Sequence, residues 1–106
     1  MIEDLYYYCR ELEAFIHKNQ IQELQMESLD TLFIENLLTE IQKESQKIPE
    51  HYKQIHSQIP WQDMDNYWQD KLTRAYEYVD LKMLYAIAAH TVPKIAAELH
   101  ILIKRN

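Results

Sequence analysis

The chain has no glycine, three prolines and a single cysteine in 106 residues, and basic residues are in deficit, eleven against seventeen acidic ones. Each shortage excludes something. Without glycine, tight hairpin turns that need positive φ are hard to build, whereas helices lose nothing, so an all-β fold is not expected. Gly-rich phosphate loops of the P-loop or Rossmann kind are excluded for the same reason. Cys9 stands alone and cannot form an internal disulfide, which fits a reducing cytoplasm. The formal charge of -6, with the basic residues scattered along the chain, argues against a sequence-independent nucleic-acid binder that works by phosphate neutralisation. No DNA partner is expected, although a small local groove for RNA stays open. The start is acidic, Ile2-Glu3-Asp4, and no apolar run approaches ~18 residues, so neither a signal peptide nor a membrane-spanning segment is expected.

What is present is helical periodicity. From Ile2 to about Lys18, Ile2, Leu5, Tyr8 or Cys9, Leu12, Phe15 and Ile16 recur at spacings of three and four, one face of a helix. The run Tyr6-Tyr7-Tyr8 covers too wide an arc to be wholly buried, so at least one ring belongs at a rim or against a second subunit. The pattern weakens from Asn19 to Glu27, the expected first connection. Ser28 or Asp30 then caps a second helix. Its stripe is read as Leu29, Leu32, Phe33, Leu37, Ile41 and Ile48, and Pro49 closes it. A short helical turn over residues 51–57 precedes Ile59-Pro60, where proline pushes the preceding residue out of the α region.

A third helix is expected from Trp61 to about Val79 on Trp61, Met64, Trp68, Leu72, Ala75 and Val79. Asp80 is placed to cap a fourth, which carries Leu81, Leu84, Tyr85, Ala88, Val92, Ile95, Ala96, Leu99, Leu102 and Ile103. Pro93 lies inside that helix and should kink it. One domain over residues 1–106 follows: all-α, an up-and-down antiparallel four-helix bundle with a short extra helical turn before the third long helix.

Most chemistry the residues suggest is weak. His51 and His56 are five apart, His90 and His100 ten apart, and no Cys or carboxylate completes a set, so no metal site is expected. Glu-x-x-His, which a di-iron bundle requires, does not occur. Cys9 reads as a small buried hydrophobe, since only Arg10 nearby would lower its pKa. Arg10 and His17 stand seven apart near one face of the first helix and read as a coincidence. No cofactor is implied.

The stretch from Ile59 to Asp80 is different in kind. It holds both tryptophans and three of the eight tyrosines. Phe33-Ile34-Glu35-Asn36-Leu37, Ile48-Pro49-Glu50, Ile59-Pro60-Trp61, the run from Ala75 to Leu81 and Val92-Pro93-Lys94-Ile95 together resemble the HepT-like branch of the HEPN superfamily, helical toxin components of toxin–antitoxin pairs. The resemblance extends from about Cys9 to Ile103. It implies a metal-independent endoribonuclease whose two subunits join their motifs at a homodimer interface, and a nucleotidyltransferase antitoxin of the MNT type that modifies the motif tyrosine.

That motif is an Arg, a polar residue, a His and, close behind it, a Tyr. Laid on this chain, Tyr76 takes the tyrosine position, Asp70 the polar one, Gln69 falls where the Arg belongs and Arg74 where the His belongs. Attack by a ribose 2′-OH needs a group that exchanges a proton near neutral pH and a cation for the developing charge. Arg74 cannot be the base and Gln69 carries no charge. Asp70 and Arg74, four residues apart, also read as an ordinary helix-surface ion pair, and Tyr76 also reads as a boundary tyrosine. The reading is therefore a HepT-like protein with a decayed ribonuclease site at Gln69, Asp70, Arg74 and Tyr76, acting in the cytoplasm by binding a nucleotidyltransferase or RNA. Two alternatives stand beside it. One is a working ribonuclease that adds His90 to those residues; the other is an orphan helical dimerisation module.

Overall fold

Seventeen residues from Ile2 to Lys18 form helix α1, with Glu3 and Asp4 in the first turn and His17 and Lys18 in the last, charges that complement the helix dipole. Ile2, Leu5, Cys9 and Leu12 are buried along one side, as the spacing predicts. Of the tyrosine run, Tyr7 is the exposed ring, 59% accessible, and its hydroxyl donates to Glu11 at 3.1 Å. Tyr6 and Tyr8 are partly buried against the core.

The computed structural model describes residues 2–64 and 81–105. After α1 come α2 (Leu29–Gln46), the short α3 (Glu50–Ile55), a helical turn over residues 61–64, and α4 (Leu81–Lys104). Among the described residues every regular element is a helix, and the protein is all-helical. The remainder of the expected third helix, and Asp80 as a cap, lie outside the described residues.

The connection after α1 shows how a chain without glycine turns. Gln20 adopts φ 52° and Glu27 φ 60°, the left-handed region normally left to glycine. Gln20 N–H donates to the His17 carbonyl and Ile21 N–H to the Ile16 carbonyl, a Schellman closure that satisfies two carbonyls at the helix end. Asn19 adds a side-chain bond to the Phe15 carbonyl at 2.8 Å. Of the two expected caps, Ser28 is the one used: its Oγ accepts from Thr31 N–H at 3.1 Å.

The stripe assigned to α2 needs correction in its first half. Leu29, Leu32 and Phe33 are exposed, and the inner face is Thr31, Ile34, Leu37, Leu38, Ile41, Gln42 and Ser45. Two apolar arcs overlap in this helix, and the Phe15–Phe33 stack, centroids 4.2 Å apart, holds Phe33 at the edge of α1 and not inside the core.

In α4 the expected kink takes a specific form. Residues Leu81–Ala86 are α-helical, Ile87–Thr91 form a π turn and Val92–Lys104 resume the α-helix. Pro93 has no N–H to give and its ring crowds the carbonyl one turn back; widening that turn, with Val92 N–H reaching the Ile87 carbonyl, accommodates both. The helix is 24 residues long and holds an 18-residue window with a mean hydropathy of 1.3, enough by length and composition to cross a membrane although the sequence has no unbroken apolar run of that length. Its apolar stripe is nonetheless spent on the core: Leu84, Ala88, Val92, Ile95, Ala96, Leu99 and Leu102 are buried.

Helix α1 lies between α2 and α4 and packs on both. Tyr6 near its start meets His100 near the end of α4, and the Tyr85 hydroxyl near the start of α4 donates to the Ile21 carbonyl just beyond α1, so these two helices run antiparallel. The end of α1 meets the start of α2 through Phe15 and Phe33, which makes that pair antiparallel as well.

Candidate functional site

The site residues expected from the sequence, Gln69, Asp70, Arg74 and Tyr76, lie outside the described residues. The start of their stretch is described. Ile59 is fully enclosed, Trp61 and Met64 are buried, and the Trp61 indole N–H donates to the His56 carbonyl at 3.1 Å. The Lys53 ammonium stands 5.6 Å from the centre of the indole ring, within cation–π reach. Proline at position 60 ends the preceding turn and lets Trp61 enter the core at once. Ile59-Pro60-Trp61 is therefore an anchor: it ties the chain to the core ahead of the stretch in which the candidate site expected from the sequence lies.

The described residues build one further feature with chemical content, a groove between α1 and α4. Along α1, Tyr6, Arg10, Glu13 and His17 recur at spacings of four, three and four, a polar row beside the buried stripe. The facing surface of α4 is small: Ala89, Pro93 and Ala97 leave room where larger side chains would fill it. The larger part of the groove, about 1130 Å³, includes Arg10, Glu13 and His17, and an adjoining part of about 360 Å³ runs on to Tyr6 and His100.

At the second end the Tyr6 and His100 rings stack with centroids 5.8 Å apart, and the Tyr6 hydroxyl is 3.3 Å from His100 Nδ1. In the middle Arg10 donates to Glu13 at 2.8 Å. That pair fixes the electrostatics of the groove: its cation is already neutralised by a carboxylate, so the groove offers hydrogen bonds and ring faces more than net charge. Arg10 and His17, set aside as coincidental from spacing alone, do line one groove. Tyr6 and His100 were missed because they are 94 residues apart in sequence and only the packing of α1 on α4 joins them.

His90, the residue of the alternative ribonuclease reading, sits in the π turn of α4 and is exposed, its ring edge-on to Tyr85 at 6.2 Å. Cys9 is sealed on the inner face of α1. Burial, with a smaller contribution from Glu13, pushes its thiol up to about 12, so it stays protonated and inert. Among the described residues no three His, Cys, Asp or Glu side chains gather as a metal would need.

Comparison with known proteins gives one likeness. No family model matches the chain, and no solved structure does. A stretch of 51 residues is 35% identical to a protein of Thermococcus cleftensis described as "Probable ribonuclease HepT", covering 48% of this chain and 46% of the other. The chain thus spans about half the length of the curated relative it matches. The likeness is to a HepT ribonuclease, and it agrees with the direction of the resemblance drawn from the sequence words.

Proposed function

We propose that the protein is a HepT-like member of the HEPN class whose ribonuclease site has decayed and whose remaining work is binding. The observation that carries this is the likeness of half the chain to a HepT ribonuclease, set against Gln69 and Arg74 at the two motif positions that supply the cation and the proton-exchanging group. In this reading Ile59-Pro60-Trp61 leads into the third helix of an up-and-down antiparallel four-helix bundle. The bundle pairs with a second copy in the cytoplasm, and Asp70, Arg74 and Tyr76 of both copies line a shared cleft. The partner is a nucleotidyltransferase of the MNT type, with Tyr76 as the residue it modifies, or an RNA held without cleavage. The antiparallel packing of α1 with α2 and with α4 supports the bundle.

The test is direct. Purified protein incubated with single-stranded RNA and with tRNA is expected to leave both intact, while sedimentation at micromolar concentration is expected to give a dimer. Cleavage that survives Tyr76→Phe and disappears with Arg74→Ala and with Asp70→Ala would overturn the decayed site in favour of an active ribonuclease. That second reading is favoured by one observation, the solvent-facing ring of His90 in the π turn, and His90→Ala must abolish the cleavage if it is right. A monomer would remove the shared cleft and favour an isolated bundle.

A further inference from the structure

The opening turns of α2 present a surface that the reading above does not use. Met26, Leu29, Leu32 and Phe33 are 65%, 83%, 48% and 45% exposed. Leu29, Leu32 and Phe33 stand at i, i+3 and i+4, so they form one helix face and not scattered singles. Single exposed apolar side chains are ordinary, but a contiguous group marks an interaction site. The face is also held in place. Phe33 is stacked from behind by Phe15, and the start of the helix is fixed by Ser28 Oγ accepting from Thr31 N–H and by Thr31 Oγ1 donating to the Gln25 carbonyl at 2.8 Å. A face already ordered in the free protein loses little entropy when it is covered.

Charge says what covers it. Between Lys18 and Lys43 there is no Lys, Arg or His, while Glu23, Glu27, Asp30, Glu35 and Glu40 all fall in that span. Lys43 at its far end is turned to Glu40, at 3.5 Å. Lys18, closing α1 three residues after Phe15, is the cation at the near end. The stretch of chain that carries the apolar face is therefore acidic, with Glu23, Glu27 and Asp30 all exposed within a few residues of Leu29. A second copy docked face to face about a two-fold axis would set these carboxylates against each other. RNA phosphates and anionic lipids would be repelled in the same way.

We infer that this face of α2 docks a cationic amphipathic helix of another protein, with its apolar residues on Leu29, Leu32 and Phe33 and its Lys or Arg residues against Glu23, Glu27 and Asp30. Helix-in-groove recognition of this kind reads apolar anchors at i, i+3, i+4 and i+7, the spacing the face itself displays. The inference stands independently of whether the protein cuts or binds RNA.

The probe is a synthetic amphipathic helix of about 18 residues with Leu on one face and Lys on the other, titrated calorimetrically into the full chain beside a twin in which Glu replaces every Lys. The cationic helix is expected to bind and the anionic twin to fail. Binding should weaken steeply as salt approaches about 1 M, where screening acts within ~3 Å. Leu29→Ser/Leu32→Ser, both solvent-facing and checked for unchanged helicity by circular dichroism, should weaken it by about tenfold or more. Glu23→Gln/Glu27→Gln/Asp30→Asn should weaken it by a smaller factor. Equal affinity for the two peptides, or undiminished affinity in the Leu double variant, overturns the inference. So does self-association of the chain that the Leu double variant abolishes, because the face would then belong to a second copy.

Discussion

Helices α4 and α2 are both long, and both carry leucine, isoleucine and other apolar residues at spacings of three and four, yet they use them differently. Seven residues of the α4 stripe, from Leu84 to Leu102, are buried, and α1 packs on this helix from its π turn onward. Within the first two turns of α2, three large apolar residues point into water while Thr31 and Ile34 turn inward. The physical cause lies in the number of arcs. The buried leucine, isoleucine, valine and alanine side chains Leu84, Ala88, Val92, Ile95, Leu99 and Leu102 of α4 recur at spacings of three and four on one arc, whereas α2 has one arc through Leu29, Leu32 and Phe33 and another through Ile34, Leu37, Leu38 and Ile41. Where one arc exists, the hydrophobic effect selects it without ambiguity; where two overlap, the neighbour's position chooses.

The comparison can be broken or sharpened experimentally. The largest effect is expected at α4: Leu99→Ala, a fully enclosed side chain, should lower unfolding free energy by about 3 kcal/mol, read from denaturant midpoints. A loss below about 1 kcal/mol would mean that the stripe is less tightly packed than described. Next is Cys9 on the face of α1 that α4 helps to bury. Its folded-state pKa of about 12 lies above the ordinary value of 9.0, so the stabilisation is complete below about pH 9 and is lost as pH rises toward 12. Accordingly the native thiol should resist a thiol reagent at pH 8 and react once denaturant is added.

A smaller effect, of opposite sign, is expected in the connection between α1 and α2. Gln20→Gly removes a side chain from a left-handed position and should raise stability by about 0.5–1 kcal/mol, seen as a higher denaturation midpoint. The smallest belongs to α2 itself. Leu29→Ser should change stability by less than about 0.5 kcal/mol in either direction, although it deletes a leucine as Leu99→Ala does. If the two leucine substitutions cost the same, the contrast between the helices fails.

Much of the fold was legible because helices leave short-range signatures. The bounds of α1, the cap of α2 narrowed to Ser28 or Asp30, the turn at α3, and the core positions Leu84, Ala88, Val92 and Ile95 all follow from spacing or from a cap within a few residues. The lack of glycine predicted difficulty with positive φ, and the chain meets it by placing Gln20 and Glu27 there, which only the backbone reveals. A kink at Pro93 was expected; that it is relieved by a π turn depends on how the widened helix still fits against α1.

Of the candidate site, the sequence supplied the identities of Gln69, Asp70, Arg74 and Tyr76, with Gln and Arg where the resemblance expects Arg and His. It also set Arg10 and His17 aside, though both line the groove that Ala89, Pro93 and Ala97 keep open. Pairs such as Tyr6 with His100 have no local signal, because a contact between the first helix and the last is created by packing alone.

The sequence by itself determined that the chain is helical, where α1 begins, that Cys9 is a small buried hydrophobe, and which residues stand at positions 69, 70, 74 and 76. These are properties of residues and of their near neighbours along the chain. Tertiary structure alone decided which arc of α2 faces water, how Pro93 is accommodated, and that a tyrosine and a histidine from opposite ends of the chain share one groove. Those outcomes depend on where one helix stands relative to another, and no spacing within a helix encodes that.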